Sequence, residues 1–202
     1  MIPICGGMQP FPAHADDLDA TLDEAFRLLR RGVVDRKSPF RTLNVATVGA
    51  DGVPSVRTVV LRGFDPAARL IRFHTDRRSA KVSEIQHQPR VALHAYDRGT
   101  QVQLRLSGTA AIHSGDAAAE AAWARSAPGA RACYAIQPAP GTPVSAPVPA
   151  PAIEDEEQAR AQFVLVEVVF DTLEWLWLSS AGHRRARFDW RGDVPAATWL
   201  VQ

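Results

Sequence analysis

Apolar positions recur along this chain with two different periods. From Asp16 onward, Leu18, Leu22, Phe26, Leu29 and Val33 fall three to four residues apart. That is the spacing of one buried stripe on a helix, and its acidic first turn and Arg30-Arg31 near its end both suit the helix dipole. Beyond Phe40 the period shortens. Segments 40–48 and 53–62 flank Gly49-Ala-Asp-Gly52, where Asp51-Gly52 tolerates the positive φ angles of a tight hairpin turn. Asp65-Pro66 marks a second turn, after which 70–74, 91–96, 101–113, 163–178, 184–190 and 198–201 read as further strands, the long run 163–178 being interrupted near Asp171. Short helices are predicted over 79–88, stopped by Pro89, and over the Ala-rich 117–125.

The pattern predicts a mainly β (α+β) fold of about seven or eight mostly antiparallel strands with a few peripheral helices. So many short strands favour a barrel closed on itself, because closure removes exposed sheet edges. With 202 residues the chain can bury a proper core as one domain, 1–202. Residues 1–15, rich in Pro and Gly, read as an extended tail, and the Pro/Ala-rich stretch 138–155 as an exposed loop.

Charge and composition exclude several classes. Lys+Arg 23 against Asp+Glu 22 leaves a formal net charge of +1, which argues against a general nucleic-acid binder. Any basic site must be local. Cys5 and Cys133 show no metal spacing and fit a reduced setting better than a disulfide scaffold, although two cysteines could in principle pair. The first residues lack the basic and apolar regions of a signal peptide, and no segment approaches the roughly 20 apolar residues needed to cross a bilayer. A cytoplasmic protein without membrane association is expected. GxGxxG, P-loop and GxSxG motifs are absent, and the six His lack zinc-site spacing. No nucleophile–base pair stands out; a borrowed redox cofactor would explain how such a chain could still be catalytic.

Candidate chemistry gathers in two strand-like stretches, Arg57-Thr-Val-Val-Leu-Arg62 and Phe73-His-Thr-Asp-Arg-Arg-Ser-Ala-Lys81. Arg57, Thr75, Ser79 and Lys81 supply cations, hydroxyls and a helix start, the donors that a phosphate monoester requires. Alternation puts Arg57 on one face with Val59 and Leu61, so its charge must be met either by a carboxylate or by a bound anion. Gln103 shares a face with Arg105; its amide could read a heterocycle edge, or simply lie on a half-exposed barrel surface. Trp175 and Trp177 share a strand face, an arrangement commoner in cores and interfaces than in cofactor walls. His183-Arg-Arg-Ala-Arg187 is a dense cationic patch.

Together these residues resemble the FMN-binding split-barrel family of the pyridoxamine 5'-phosphate oxidases, from about Thr42 to the C-terminus. The motifs carrying the likeness are Arg57 to Arg62, Phe73 to Lys81, Val102-Gln103 to Gly108, and the Trp177 to Arg187-Phe188 spacing. The resemblance implies that Arg57 and Lys81 hold the FMN phosphate, with Thr75 and Ser79 nearby. The backbone of Thr58, Val59 and Val60 would lie along the flavin, and His74 would occupy a position usually held by an aromatic residue. Gln103 would reach the ring edge or ribityl chain. Trp177 and Arg187 would come from the partner subunit of a homodimer with FMN at the interface. Arg62, His183 and Arg185 would meet the substrate.

The sequence also departs from the family pattern. Ala80 stands where a second cation is usual, and Arg62 replaces a Lys. His183 and Arg185 reverse the usual residue types at their positions. The substrate-clamping Tyr, Arg and Ser find no match around 123–137, and Pro138 replaces a Ser, leaving Arg125 and Arg131 as cations available to another anion. These changes preserve an FMN site better than a pyridoxamine phosphate site. The expectation is an FMN-dependent oxidoreductase with a small-molecule substrate. The alternatives are a genuine pyridoxamine/pyridoxine phosphate oxidase and a non-catalytic flavin or haem binder.

Overall fold

Eight strands form one antiparallel sheet in the order β3-β2-β1-β4-β5-β6-β7-β8, and an additional β3–β6 pairing closes the first six of these into a barrel. The structure is a computed structural model that describes residues 12–149, 156–180 and 182–201. The strands are β1 (Thr42–Val48), β2 (Pro54–Asp65), β3 (Leu70–Asp76), β4 (Arg90–Asp97), β5 (Val102–His113), β6 (Phe163–Trp177), β7 (Arg184–Asp189) and β8 (Ala196–Trp199). Helices α1 (Leu18–Val34), α2 (Ala80–His87), α3 (Ala117–Arg125), α4 (Pro128–Arg131) and α5 (Glu156–Ala161) surround them. The fold is the split β-barrel expected.

Local chemistry accounts for the main boundaries. Asp17 caps α1, its carboxylate accepting from the Ala20 N–H at 2.8 Å. The β1–β2 hairpin turns through Gly52 at φ +79°, with the Asp51 carboxylate accepting from Val53 N–H at 3.0 Å. Inward residues of the barrel strands, among them Leu43, Val45, Leu61, Phe73, Leu104, Leu106 and Val166, are each no more than 1% exposed and build the core. A smaller apolar cluster of Trp123, Tyr134, Ala159 and Phe163 seats α3 and α5 against the barrel.

Several expectations change. Residues 1–11 lie outside the described residues, but 12–15 are no extended tail: Ala15 is fully buried, and the His14 carbonyl accepts from the Thr21 hydroxyl at 2.8 Å. Helices α4 and α5 were not legible in the sequence, being single turns beside Pro-rich chain. Residues 138–149 form neither helix nor strand and are almost wholly exposed, while 150–155 lie outside the described residues. The interruption near Asp171 is a bulge rather than a break, since pairing shifts from Ser107–Thr172 to Gly108–Phe170 within one continuous strand.

Gly108 makes that bulge possible. A Cβ there would sit 2.3 Å from the Val169 carbonyl oxygen and 2.6 Å from Phe170 Cα. Gly108→Ala is therefore expected to lower stability by about 3 kcal/mol, the upper end of overpacking costs, measured by urea denaturation. An unchanged midpoint would show that the strands part there without penalty.

Candidate functional site

Strands β2 and β3 pair only between Leu61–Asp65 and Leu70–Phe73. Past that point β2 continues through Arg57–Val60 on β1 alone, and β3 through His74–Asp76 on β6 alone. The two strands thus part, leaving edges that face each other without a ladder between them. Backbone N–H and C=O groups on such edges are open to a ligand.

Arg57, Thr75, Ser79 and Lys81 gather where the strands part. Lys81 Nζ donates to Thr75 Oγ1 at 2.9 Å, and the Thr75 and Ser79 hydroxyls lie 3.2 Å apart. Ser79 is the N-cap of α2, yet its hydroxyl donates to the Asp76 carbonyl at 2.7 Å instead of capping the helix. Arg57 answers its charge within the chain: Nη2 donates to Glu84 Oε2 at 2.7 Å, and Nη1 donates to the Thr47 hydroxyl. Of the two readings the sequence left open for Arg57, the carboxylate pair is present. Burial pushes the Glu84 carboxyl up, but hydrogen bonds from Thr47 and Arg57 outweigh it and hold the group below its ordinary value.

Lys81 differs from Arg57. No carboxylate lies within 4.0 Å of it among the described residues. Burial first, and then the neighbouring Arg57 charge, press its pKa below the ordinary lysine value. A half-buried ammonium repelled by a guanidinium, beside two hydroxyls and the amino end of α2, is a donor set that suits the phosphate of a nucleotide such as FMN.

Even-numbered β2 residues point the other way. Val60 and Arg62, with Arg72 and His74 of β3, line a cavity of about 640 Å³ that is walled by the end of α1, by Arg41 and by α3 and α4. His74 packs edge-on against Phe163 at 4.8 Å between ring centroids. Burial, reinforced by the Arg62 and Arg125 charges, lowers its pKa from 6.5 to about 4. A histidine neutral in the folded chain but protonatable when unfolded loses its contribution as pH falls from 6.5 towards 4. Stability should therefore decline with acidification across that window, and His74→Phe should flatten the decline in a pH series of thermal melts.

Of the remaining predicted residues, Thr58 and Val59 lie on the parted stretch of β2 and the others lie elsewhere. Thr58 is exposed and donates to Asn44 Oδ1 at 3.0 Å, while inward Val59 is buried. Gln103 Oε1 sits 3.2 Å from His94 Nε2 on the outer face of β4 and β5. Arg185 pairs with Glu174 at 2.6 Å, Arg187 approaches Asp189 at 3.6 Å, and His183 Nδ1 accepts from Ser179 N–H at 3.0 Å. Trp177 is 1% exposed in the barrel core, so its indole faces inward beside Trp175. Within one chain, Gln103, Trp177, His183, Arg185 and Arg187 are not brought to the β2–β3 split; they belong to β5, β6, β7 and the turn before β7.

Arg125 and Arg131 also separate. Arg125 lines the cavity, whereas Arg131 pairs with Glu156 at 2.5 Å and stacks on Trp123 at 5.0 Å. Arg36, Arg41 and Arg72 were missed as site residues. Arg72 was recoverable, since it shares a strand face with His74; Arg36 and Arg41 reach the cavity only through the packing of α1 on the barrel.

The fold is a split β-barrel whose strands β2 and β3 part beside Arg57, Thr75, Ser79 and Lys81. Residues 23–114 match the family model described as "Pyridoxamine 5'-phosphate oxidase, FMN-binding domain". Over that segment the chain is similar to the pyridoxamine 5'-phosphate oxidase-related proteins. It is 41% identical over 66 residues to pyridoxine/pyridoxamine 5'-phosphate oxidase 2 of Arabidopsis thaliana, a match covering 33% of each chain. It is 48% identical over 68 residues to the pyridoxine/pyridoxamine 5'-phosphate oxidase of Kineococcus radiotolerans, covering 34% of this chain and 29% of that protein. The matched segments thus span about a third of those curated relatives. A pyridoxamine 5'-phosphate oxidase-related, FMN-binding protein from Nostoc punctiforme superposes with a TM-score of 0.71 at 27% identity, covering 89% of this chain and 96% of that one. PhzG from Burkholderia lata, solved with tetrahydrophenazine-1-carboxylic acid, shares the fold at a TM-score of 0.71 and 22% identity, covering 96% and 99% of the two chains. No described helix is long and apolar enough to cross a membrane.

Proposed function

We propose that this chain binds FMN non-covalently along the β2–β3 split and acts as a flavin-dependent oxidoreductase on a small molecule. The observation that carries this reading is Lys81, a half-buried cation with no carboxylate at ion-pair distance among the described residues, set beside Arg57, Thr75 and Ser79. Lys81 and Arg57 anchor the phosphate, and the open β2 edge at Thr58, Val59 and Val60 runs along the ring. His74 stands beside that edge as a neutral imidazole. Bound FMN supplies two-electron, hydride-type chemistry that no side chain here provides.

The same reading calls for a second subunit. Gln103, Arg185 and Arg187 lie on β5 and β7, outside the split, so they reach a flavin only across a homodimer interface. Exposed Val56 and Tyr96 on the outer faces of β2 and β4 suit such a contact.

Reconstitution with FMN tests the proposal. The desalted protein should retain a band near about 450 nm that bleaches on photoreduction and returns with oxygen. Protein that leaves the column colourless contradicts the reading. Flavin that binds but mediates no electron transfer to any acceptor points to a storage protein instead. Genuine pyridoxamine phosphate oxidation is favoured by the names of the curated relatives; turnover of pyridoxamine 5'-phosphate with oxygen distinguishes it.

A further inference from the structure

We propose that Glu84 is a specificity-determining residue of the phosphate cradle. Its carboxylate occupies Arg57 as an internal anion with which an incoming phosphate must share that guanidinium, and so keeps FMN in exchange with solution. This rests on the flavin-dependent reading above and concerns the strength and selectivity of that same site.

Three side chains close a ring of hydrogen bonds. Arg57 Nη2 donates to Glu84 Oε2 at 2.7 Å, Arg57 Nη1 donates to the Thr47 hydroxyl, and that hydroxyl donates to the same Glu84 oxygen. Thr47 is 1% exposed and the Glu84 side chain 12%, so water and salt screen the group only weakly. The three residues come from β1, β2 and α2. Lys81 stands three residues before Glu84 on α2, which puts the two on neighbouring positions of one helical face. The carboxylate is therefore next to both cations of the cradle.

A partner that served only to neutralise Arg57 would leave the cradle's capacity for anions untouched. Glu84 does not. Arg57 and Lys81 bring two positive charges, and Glu84 cancels one of them. A phosphate monoester carries about −1.5 to −2 at neutral pH, more than the remainder can balance. Arg57 still has other N–H groups to offer a phosphate. Repulsion between that phosphate and Glu84 nevertheless acts in a half-buried place, where it is several times stronger than in water. The cost falls on the phosphate alone, because the ring and ribityl chain carry no charge for Glu84 to repel. FMN is thus favoured over riboflavin less sharply than two unopposed cations would allow.

The test is fluorescence titration of the full chain with FMN and with riboflavin, in wild type, Glu84→Gln and Thr47→Val, together with FMN release rates by stopped flow. Glutamine keeps the shape and an acceptor oxygen for Arg57 and Thr47, and removes only the charge. Glu84→Gln should bind FMN at least about ten-fold more tightly and release it correspondingly more slowly, with riboflavin affinity unchanged. Thr47→Val opens the ring but leaves every charge in place, so it should not tighten FMN. Unchanged or weaker FMN binding by Glu84→Gln, equal tightening of riboflavin, or the same tightening by Thr47→Val overturns the proposal. If no form of the protein binds either flavin, the flavin reading fails separately and inorganic phosphate decides the role of Glu84. Phosphate binding about ten-fold tighter to Glu84→Gln than to wild type upholds the competition, and equal binding refutes it.

Discussion

Lys81→Ala is expected to weaken FMN binding by about 1.5–3 kcal/mol, roughly 10- to 150-fold, the scale of a lost charge-assisted hydrogen bond. The ammonium is half-buried, it donates to the Thr75 hydroxyl, and Arg57 repels it. Its removal from the flavin-free protein relieves that repulsion, so folding stability should hold while affinity falls. Arg57→Ala should behave differently. It removes a cation from the cradle and also strands Glu84, whose carboxylate Arg57 holds at 2.7 Å. That variant should lose both affinity and stability. Flavin fluorescence titrations beside urea melts separate the two phenotypes; Lys81→Ala binding FMN like wild type would remove the cradle from the account.

Trp177→Ala is expected to lower stability by about 3–5 kcal/mol, the usual cost of emptying a large aromatic site in a core. The indole is 1% exposed among the inward residues of the barrel, beside fully buried Trp175. The loss should appear in the flavin-free protein by equilibrium denaturation. If the apo variant were as stable as wild type and only flavin retention suffered, the side chain would be acting at a cofactor site instead of in the core. Trp177→Phe, which keeps most of the apolar volume, should recover much of the stability.

Alternation along β2 and β5 was legible in the sequence because each strand has one buried face. Val59 and Leu61 do point inward, as do Leu104 and Leu106, while Gln103 and Arg105 point out. Helix α1 was legible from its acidic first turn and apolar spacing, and α3 from its run of alanines. The split was not. It depends on β3 leaving β2 after Phe73 to follow β6, a partner about 90 residues further along the chain, and no local pattern encodes that exchange. The same distance effect hid the partner of Arg57, since Glu84 reaches it only when α2 folds back beside β1 and β2. Alternation could place both tryptophans of β6 on one face but could not say which face looked inward. The cavity arginines were hidden for a further reason: Arg36, Arg62 and Arg125 look like solvated surface until α1, β2 and α3 are packed around a common space.

The most direct test is a crystal structure of the FMN complex. The phosphate should lie within hydrogen-bond reach of Lys81 Nζ and the Thr75 hydroxyl, with the ring running along the Thr58–Val60 edge of β2. A phosphate found instead among Arg36, Arg62 and Arg125, leaving Lys81 without a ligand, would contradict the account.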